Sequence, residues 1–276
     1  MSRVARICIA AIALSLAACG GHHHSPTTPT PPVDGGGNTG DGGGTPSPPP
    51  PPPAPPTLKI TKILCFGDSI TFGVVQPPVS LNALDAGDPA SYPYKLQALE
   101  TARYTTQTIT VWNDGNPGES AEDKTSDDDA YDRLIHGMAD TKPEVLLLME
   151  GDNDLSKYVS VNPSPNAGIA AAVNAMEDMV RAAQSRGIAV FVATLPPQRV
   201  GGQRAGNAAL VAPYNAALKA MVAKKGATLV DMNTLFPVDL IGLDGLHPTE
   251  DGYQKMAEIF QSAIAAVYDV PPSSLH

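Results

Sequence analysis

Four short polar stretches of the chain hold residue types that acyl-transfer chemistry requires. The first is Gly67, Asp68, Ser69 and Ile70. The second runs Asn113, Asp114, Gly115, Asn116, Pro117 and Gly118, with Glu119 and Ser120 behind it. The third is Gly151, Asp152, Asn153 and Asp154, and the fourth is Asp244, Gly245, Leu246, His247 and Pro248. A serine hydroxyl is a weak nucleophile until a base takes its proton. A neutral imidazole takes that proton and returns it to a leaving alcohol, while a carboxylate fixes the imidazole tautomer and stabilises the imidazolium. Asp244 and His247 are three residues apart, so one turn of chain brings carboxylate to ring. Pro248 confines His247 to an extended backbone, which helps to hold the ring. Each stretch alone is a weak signal. Asn-Pro-Gly is an ordinary turn, and a lone Asp-x-x-His pair has many uses.

The stretches need elements to position them, and the apolar spacing supplies these. Residues 60–66, 107–112, 144–149, 188–193 and 228–231 read as strands, the third of them buried on both faces. Helical spacing lies between them at residues 94–101, 130–138 and 208–224. Ile169, Val173, Met176 and Val180 share one face of a further helix that stops at Gly187. A last helix is capped by Thr249 and buries Tyr253, Met256, Ala257, Phe260 and Ile264. Alternating strands and helices predict an α/β fold, a parallel sheet covered on both faces. In such sheets sites gather at the carboxyl ends of strands, near the point where strand order reverses. Three of the polar stretches fall at strand ends, and the fourth precedes the last helix.

In this order, and in these places, the four stretches resemble the blocks of the SGNH (GDSL-type) hydrolase family over essentially all of residues 58–268. The resemblance implies a flavodoxin-like three-layer sandwich of about five parallel strands. It implies that Ser69 is the nucleophile, His247 its base and Asp244 the orienting carboxylate. It further implies an oxyanion hole made by the N–H groups of Ser69 and Gly118 and the side-chain amide of Asn153. Such donors are set before charge develops, and losing one costs ~3 to 4 kcal/mol of transition-state stabilisation. Pro117 has no N–H to offer but stiffens the turn that presents Gly118, and a glycine there lets substrate approach the backbone. Asp68 and Asp154 are expected in support, each bracing its own turn through backbone N–H groups. No metal or organic cofactor is expected.

The start of the chain carries a sorting signal. Arg3 and Arg6 precede a short apolar run that ends Leu16, Ala17, Ala18, Cys19. This resembles a bacterial lipoprotein signal and implies loss of residues 1–18, lipidation of Cys19 and firm membrane anchoring. The address expected is the cell envelope, at the outer membrane or the periplasmic or extracellular face. Residues 19–57, with His22, His23 and His24, glycine triplets and a run of six prolines, read as a disordered linker unable to bury apolar surface. The three histidines read as solvated, since no other metal ligand is near them in sequence. Residues 58–270 form the hydrolase domain and 271–276 a tail ending at His276. Cys8 leaves with the signal and Cys19 is lipidated, so Cys65 has no disulfide partner and is expected to be buried and inert. Asp127, Asp128 and Asp129 read as a solvated run or the acidic start of a helix, without the ligand spacing of a calcium site. His136, inside a helix, reads as structural. The formal net charge of −10 argues against nucleic acid as a partner.

Two long loops are expected near the site. Residues 74–91 are apolar and proline-bearing and would wall an acyl chain. Residues 195–207 hold Pro196, Pro197, Arg199, Gly201, Gly202 and Arg204 and would form a flap. Both also read as plain connections. The activity expected is cleavage of carboxylic esters through an acyl-serine intermediate, short-chain acyl esters first. Envelope polysaccharide O-acetyl esters come second, and lysophospholipids and thioesters third. An acyltransferase would use the same residues. A tethered envelope-binding module is the non-enzymatic alternative, but binding alone does not require Ser69, Gly118, Asn153, Asp244 and His247 together. The partners expected are a small-molecule or glycan ester and the membrane, with a monomeric chain.

Overall fold

A computed structural model describes residues 54–76, 84–85, 87, 89–122, 129–161 and 165–271. The chain divides into Met1–Pro50 and Pro51–His276, and every described residue belongs to the second unit. Cys8, Cys19, the three linker histidines, Asp127, Asp128, much of the 74–91 loop and His276 lie outside the described residues.

Five parallel strands form the central sheet: β1 Lys62–Gly67, β2 Thr110–Gly115, β3 Val145–Met149, β4 Ala189–Ala193 and β5 Thr228–Val230. Their order is β2-β1-β3-β4-β5, the doubly wound order whose reversal lies between β1 and β3. Among the described residues, six helices of ten residues or more accompany them: α1 Tyr92–Arg103, α2 Ala130–Thr141, α3 Asp152–Val161, α4 Pro165–Gln184, α5 Ala208–Lys225 and α6 Glu250–Tyr268. The architecture is the α/β sandwich expected from the alternating pattern.

Strands covered on both faces are near-continuous apolar runs, and their alternation assigns side chains to two cores. Ile63, Cys65, Val145, Leu147 and Phe191 pack with Tyr92 and Leu96 of α1 and Met256 and Phe260 of α6. Leu64, Phe66, Leu146, Leu148 and Val190 pack on the other face with Leu134 of α2, Met176 of α4 and Leu218 of α5. Cys65 is fully buried.

Caps set where the helices start. Ser91 caps α1 and Pro93 sits in its first turn, so this helix begins at Tyr92, before the apolar spacing announces it. Asp129 caps α2 by accepting the Asp132 N–H at 2.8 Å. Thr249 caps α6 by accepting the Gly252 N–H at 3.1 Å.

Two elements differ from their sequence reading. β2 lies at 110–115, not 107–112. Its register sets Cys65 against Asn113, Phe66 against Asp114 and Gly67 against Gly115. Backbone pairing with β1 thus outweighs the weak strand propensity of these polar residues. Gln107 instead exchanges bonds with the Leu58 backbone, accepting its N–H at 2.6 Å and donating to its carbonyl at 2.9 Å. The second difference is α3, which sequence leaves as a loop after Gly151. Asp152 and Asp154 occupy its first turn, where carboxylates favour the positive helix end. Outside the main sheet, Thr57–Leu58 pairs with Asp269–Val270 and Val74–Val75 with Leu84–Asp85, both antiparallel. Among the described residues, no helix is long and apolar enough to cross a membrane.

Tyr92 of α1 and Phe260 of α6, both fully buried, stack at 4.8 Å. Phe260→Ala is expected to lower the unfolding free energy by about 3–5 kcal/mol. The check is a reduced urea midpoint with an unchanged denaturant slope.

Candidate active site

β1 ends at Gly67, and the chain enters a single helical turn, Ser69–Phe72. Asp68 caps that turn by accepting the Ile70 N–H at 2.9 Å. The turn lies hard against the end of β2. A Cβ on Gly115 would sit 2.0 Å from Phe72 N, so only glycine allows this approach. Ser69 stands at the first position of the turn, where an N–H has no acceptor within the helix.

Opposite Ser69, the chain before α6 folds around the Asp244 carboxylate. Asp244 Oδ1 accepts the N–H groups of Leu246 and His247, each at 3.0 Å. Its Oδ2 lies 2.6 Å from His247 Nδ1, and His247 Nε2 lies 3.1 Å from Ser69 Oγ. Burial alone would push the Asp244 carboxyl up. The bonds from the His247 ring and the two backbone N–H groups outweigh it and hold the group below the usual carboxylate range. Once Nδ1–H is given to the carboxylate, the lone pair of Nε2 faces the hydroxyl. The histidine segment is tied down further: Gln76 N–H donates to Pro248 O at 3.1 Å, and Tyr253 Oη donates to Val74 O at 2.8 Å.

In the loop after β2, Gly118 has φ 84°, with open space where a side chain would begin. The N–H groups of Ser69 and Gly118 find no acceptor among the described residues. Asn153, in the first turn of α3, donates through Nδ2 to Glu119 O at 2.7 Å. The same nitrogen lies 3.5 Å from Asp68 Oδ2, too long for a strong bond. The fold therefore gathers Ser69, Gly118, Asn153, Asp244 and His247 at one end of the sheet.

The supporting acids divide. Asp68 accepts within its own turn, from the Ile70 N–H. Asp154, whose carboxylate also accepts its own backbone N–H, reaches across to the loop beyond Gly118 as well. Its two oxygens accept the N–H groups of Ala121 and Glu122, each at 2.9 Å. The reason is topological: β1 lies between β2 and β3, so the loops leaving those two strands meet over its end. His136 is exposed on α2 and takes no place in the site.

Arg133 of α2 is the residue that the sequence reading missed. Its guanidinium pairs with Asp114 Oδ1 at 2.6 Å and holds the Glu119 carboxylate with two nitrogens, one of them 2.8 Å from Oε1. It also donates to Gly67 O at 3.3 Å and lies 3.9 Å from the centre of the Phe66 ring. One side chain thus staples the ends of β1 and β2 to the loop of Gly118. Nothing local marks it, because its hydrogen-bond partners are 14 to 66 residues away.

Glu150 was missed too. It is fully buried with no bond to either carboxyl oxygen. Burial, reinforced by the Asp68 charge, pushes it well above the ordinary range and so favours its uncharged form. Burial also raises Asp152 and Asp154 from 3.8 to about 6, against bonds from Gln198 to the first and from the Glu122 and Ala121 N–H groups to the second. Among the described residues, no group of three or more His, Cys, Asp or Glu side chains is placed to hold a metal ion.

The 195–207 loop is pinned along its length, which does not fit the reading of a free flap. Leu195 exchanges 2.9 Å bonds with the Asn215 amide in both directions. Arg199 and Arg204 donate backbone N–H groups to Gly245 O and Asp244 O at 2.9 and 2.7 Å.

The model of the GDSL-like lipase/acylhydrolase family matches residues 65–255. No curated protein sequence matches the chain. Among solved structures, a lipase/acylhydrolase from Enterococcus faecalis superposes with TM-score 0.58 at 22% identity, over 78% of this chain and 100% of its own. A carbohydrate acetylesterase from Sinorhizobium meliloti gives TM-score 0.60 at 18% identity, over 75% and 99%. An acetylxylan esterase from Geobacillus stearothermophilus gives 0.58 at 19%, over 75% and 95%. At these identities the likeness shows the shared fold.

The raised carboxyls set the acid–base behaviour of the fold. A carboxyl whose folded pKa exceeds its unfolded value adds stability that is full below the unfolded value and is lost as pH rises through the folded one. Asp152 and Asp154 act this way up to about 6, and Glu100, raised by burial from 4.5, up to about 7. Asp244 acts in the opposite sense at lower pH. The melting temperature is therefore expected to rise as pH falls from 8 to 5.5. Glu100→Gln is expected to raise it at pH 8 but not at pH 5.5, which differential scanning calorimetry would check.

Proposed function

The chain belongs to the GDSL-like lipase/acylhydrolase family, and on that premise we propose that it cleaves short-chain acyl esters through an acyl-serine intermediate. The carrying observation is the chain of bonds from Asp244 through His247 to Ser69, with distances of 2.6 and 3.1 Å. In this reading Ser69 Oγ attacks the ester carbonyl while His247 Nε2 takes its proton. The carbonyl oxygen, now an oxyanion, accepts from the N–H groups of Ser69 and Gly118 and from the Asn153 amide. The tetrahedral species collapses, the alkoxy C–O bond breaks, and the imidazolium hands its proton to the departing alcohol. Water then repeats the attack on the acyl-serine with His247 again as base, which releases the acid and restores Ser69. Asp244 keeps the tautomer fixed and stabilises the imidazolium throughout.

Two structures of the same fold are a carbohydrate acetylesterase and an acetylxylan esterase. They support acetyl as the acyl group and favour, as a second reading, an O-acetylated envelope polysaccharide as the natural substrate. The same proposal places the chain on a membrane through a lipid on Cys19, at the cell envelope.

Hydrolysis of p-nitrophenyl esters of graded acyl length should peak at acetyl to butyryl. Ser69→Ala should remove all Ser69-dependent turnover, and activity that survives it would sink the nucleophile assignment. Asn153→Ala should lower kcat by about 10²–10³-fold. For the anchor, Cys19→Ala should move the full chain from the membrane fraction to the soluble one after cell disruption. A wild-type chain already soluble would refute lipidation.

A further inference from the structure

The pinned loop after β4 joins the two halves of the site through buried polar side chains that the mechanism above does not use. On the α3 side, Gln198 Nε2 donates to Asp152 Oδ1 at 2.9 Å and to Asn207 Oδ1 at 2.6 Å. Asn207 Nδ2 donates to Asp152 O at 3.0 Å and to Ser156 Oγ at 3.3 Å. Only the NH₂ end of an amide can serve a carboxylate or carbonyl, so both amides have one allowed orientation. On the other side, the backbone of Arg199 and Arg204 grips Gly245 and Asp244. Asp152 and Asn207 are each 2% exposed and Gln198 9%.

This lattice is costly. Asp152 Oδ2 and Gln198 Oε1 are buried without a hydrogen-bond partner, and a buried acceptor left unsatisfied is destabilising. What the lattice holds in place is Asn153, the next residue after Asp152, relative to the segment carrying Asp244 and His247. An error of about 1 Å between an oxyanion donor and the base is enough to cost a large part of the rate.

We propose that Asp152, through Gln198 and Asn207, is a positioning residue that fixes the Asn153 amide relative to the Asp244–His247 segment without touching substrate. The proposal rests on the reading of Ser69 as nucleophile. A carboxylate suits the role because it can accept from Gln198 while its own backbone carbonyl serves Asn207. A carboxamide oxygen at the same place could accept the same bond.

The test uses the full chain and two readouts. The rate of fluorophosphonate labelling reports Ser69 and its oxyanion donors without a choice of ester, and p-nitrophenyl acetate kinetics separate kcat from KM. Gln198→Met removes the donor at similar size, Asp152→Ala removes the acceptor, and Asp152→Asn keeps an acceptor for Gln198. Gln198→Met and Asp152→Ala should each slow labelling and kcat by about tenfold or more, with KM within about twofold. Asp152→Asn should recover most of the loss. Melting curves give the folded fraction, and the loss should exceed any fall in it. Wild-type labelling rates in Gln198→Met, a loss confined to KM, a loss matching the unfolded fraction, or an Asn variant no better than Ala would each overturn the proposal and leave the esterase reading standing. A wild-type chain that labels no faster than Ser69→Ala would overturn both.

Discussion

The arrangement of the site depends on how the fold accommodates buried carboxyl groups with little positive charge to meet them. Asp68, Glu119, Glu150, Asp152, Asp154 and Asp244 are all buried, and an uncompensated buried charge costs several kcal/mol. Three different solutions appear side by side. Asp68, Asp154 and Asp244 are met by backbone N–H groups, which requires their turns to take one conformation. Glu119 is met by Arg133. Glu150 is pushed toward its uncharged form by burial. The turns that present Ser69, Gly118 and His247 are thus rigid for an electrostatic reason as well as a packing one.

The same constraint separates the acids by task. Asp244 is pulled below the ordinary carboxylate range, while burial pushes Asp68 and Glu150 well above theirs and Asp152 and Asp154 to about 6. Of these five, the carboxylate that touches the imidazole is the one whose surroundings favour its charged form. Titratable groups whose surroundings push them apart mark where acid and base roles can be divided. The cost falls on the fold, because raised carboxyls favour the folded state only while they are protonated.

Stapling across strands is the second theme. Arg133 draws the ends of β1 and β2 together, Asp154 ties α3 to the loop beyond Gly118, and the 195–207 loop ties α3 to the Asp244 segment. The shared fold reaches an Enterococcus lipase/acylhydrolase and two acetylesterases at 18 to 22% identity. A sheet in the order β2-β1-β3-β4-β5 brings these loops to one edge whatever side chains they carry.

Sequence singled out Ser69, Gly118, Asn153, Asp244 and His247 because their four polar stretches, set between apolar runs, resemble in their order the blocks of a known family. The sheet and most helices were legible for a local reason, since periodicity and burial are properties of neighbouring residues. Other features were decided by contacts distant in sequence. β2 moved to 110–115 because β1 pairs with its polar end. α3 emerged where a turn was expected, and Arg133, Gln198 and Asn207 acquired roles from partners on other elements. The 3.1 Å contact between His247 and Ser69 spans 178 positions of chain. Sequence by itself determined which side chains were available and which stretches had to be buried. Only the tertiary structure decided which of them meet, because the order of strands in the sheet, which no local propensity encodes, sets which loops become neighbours.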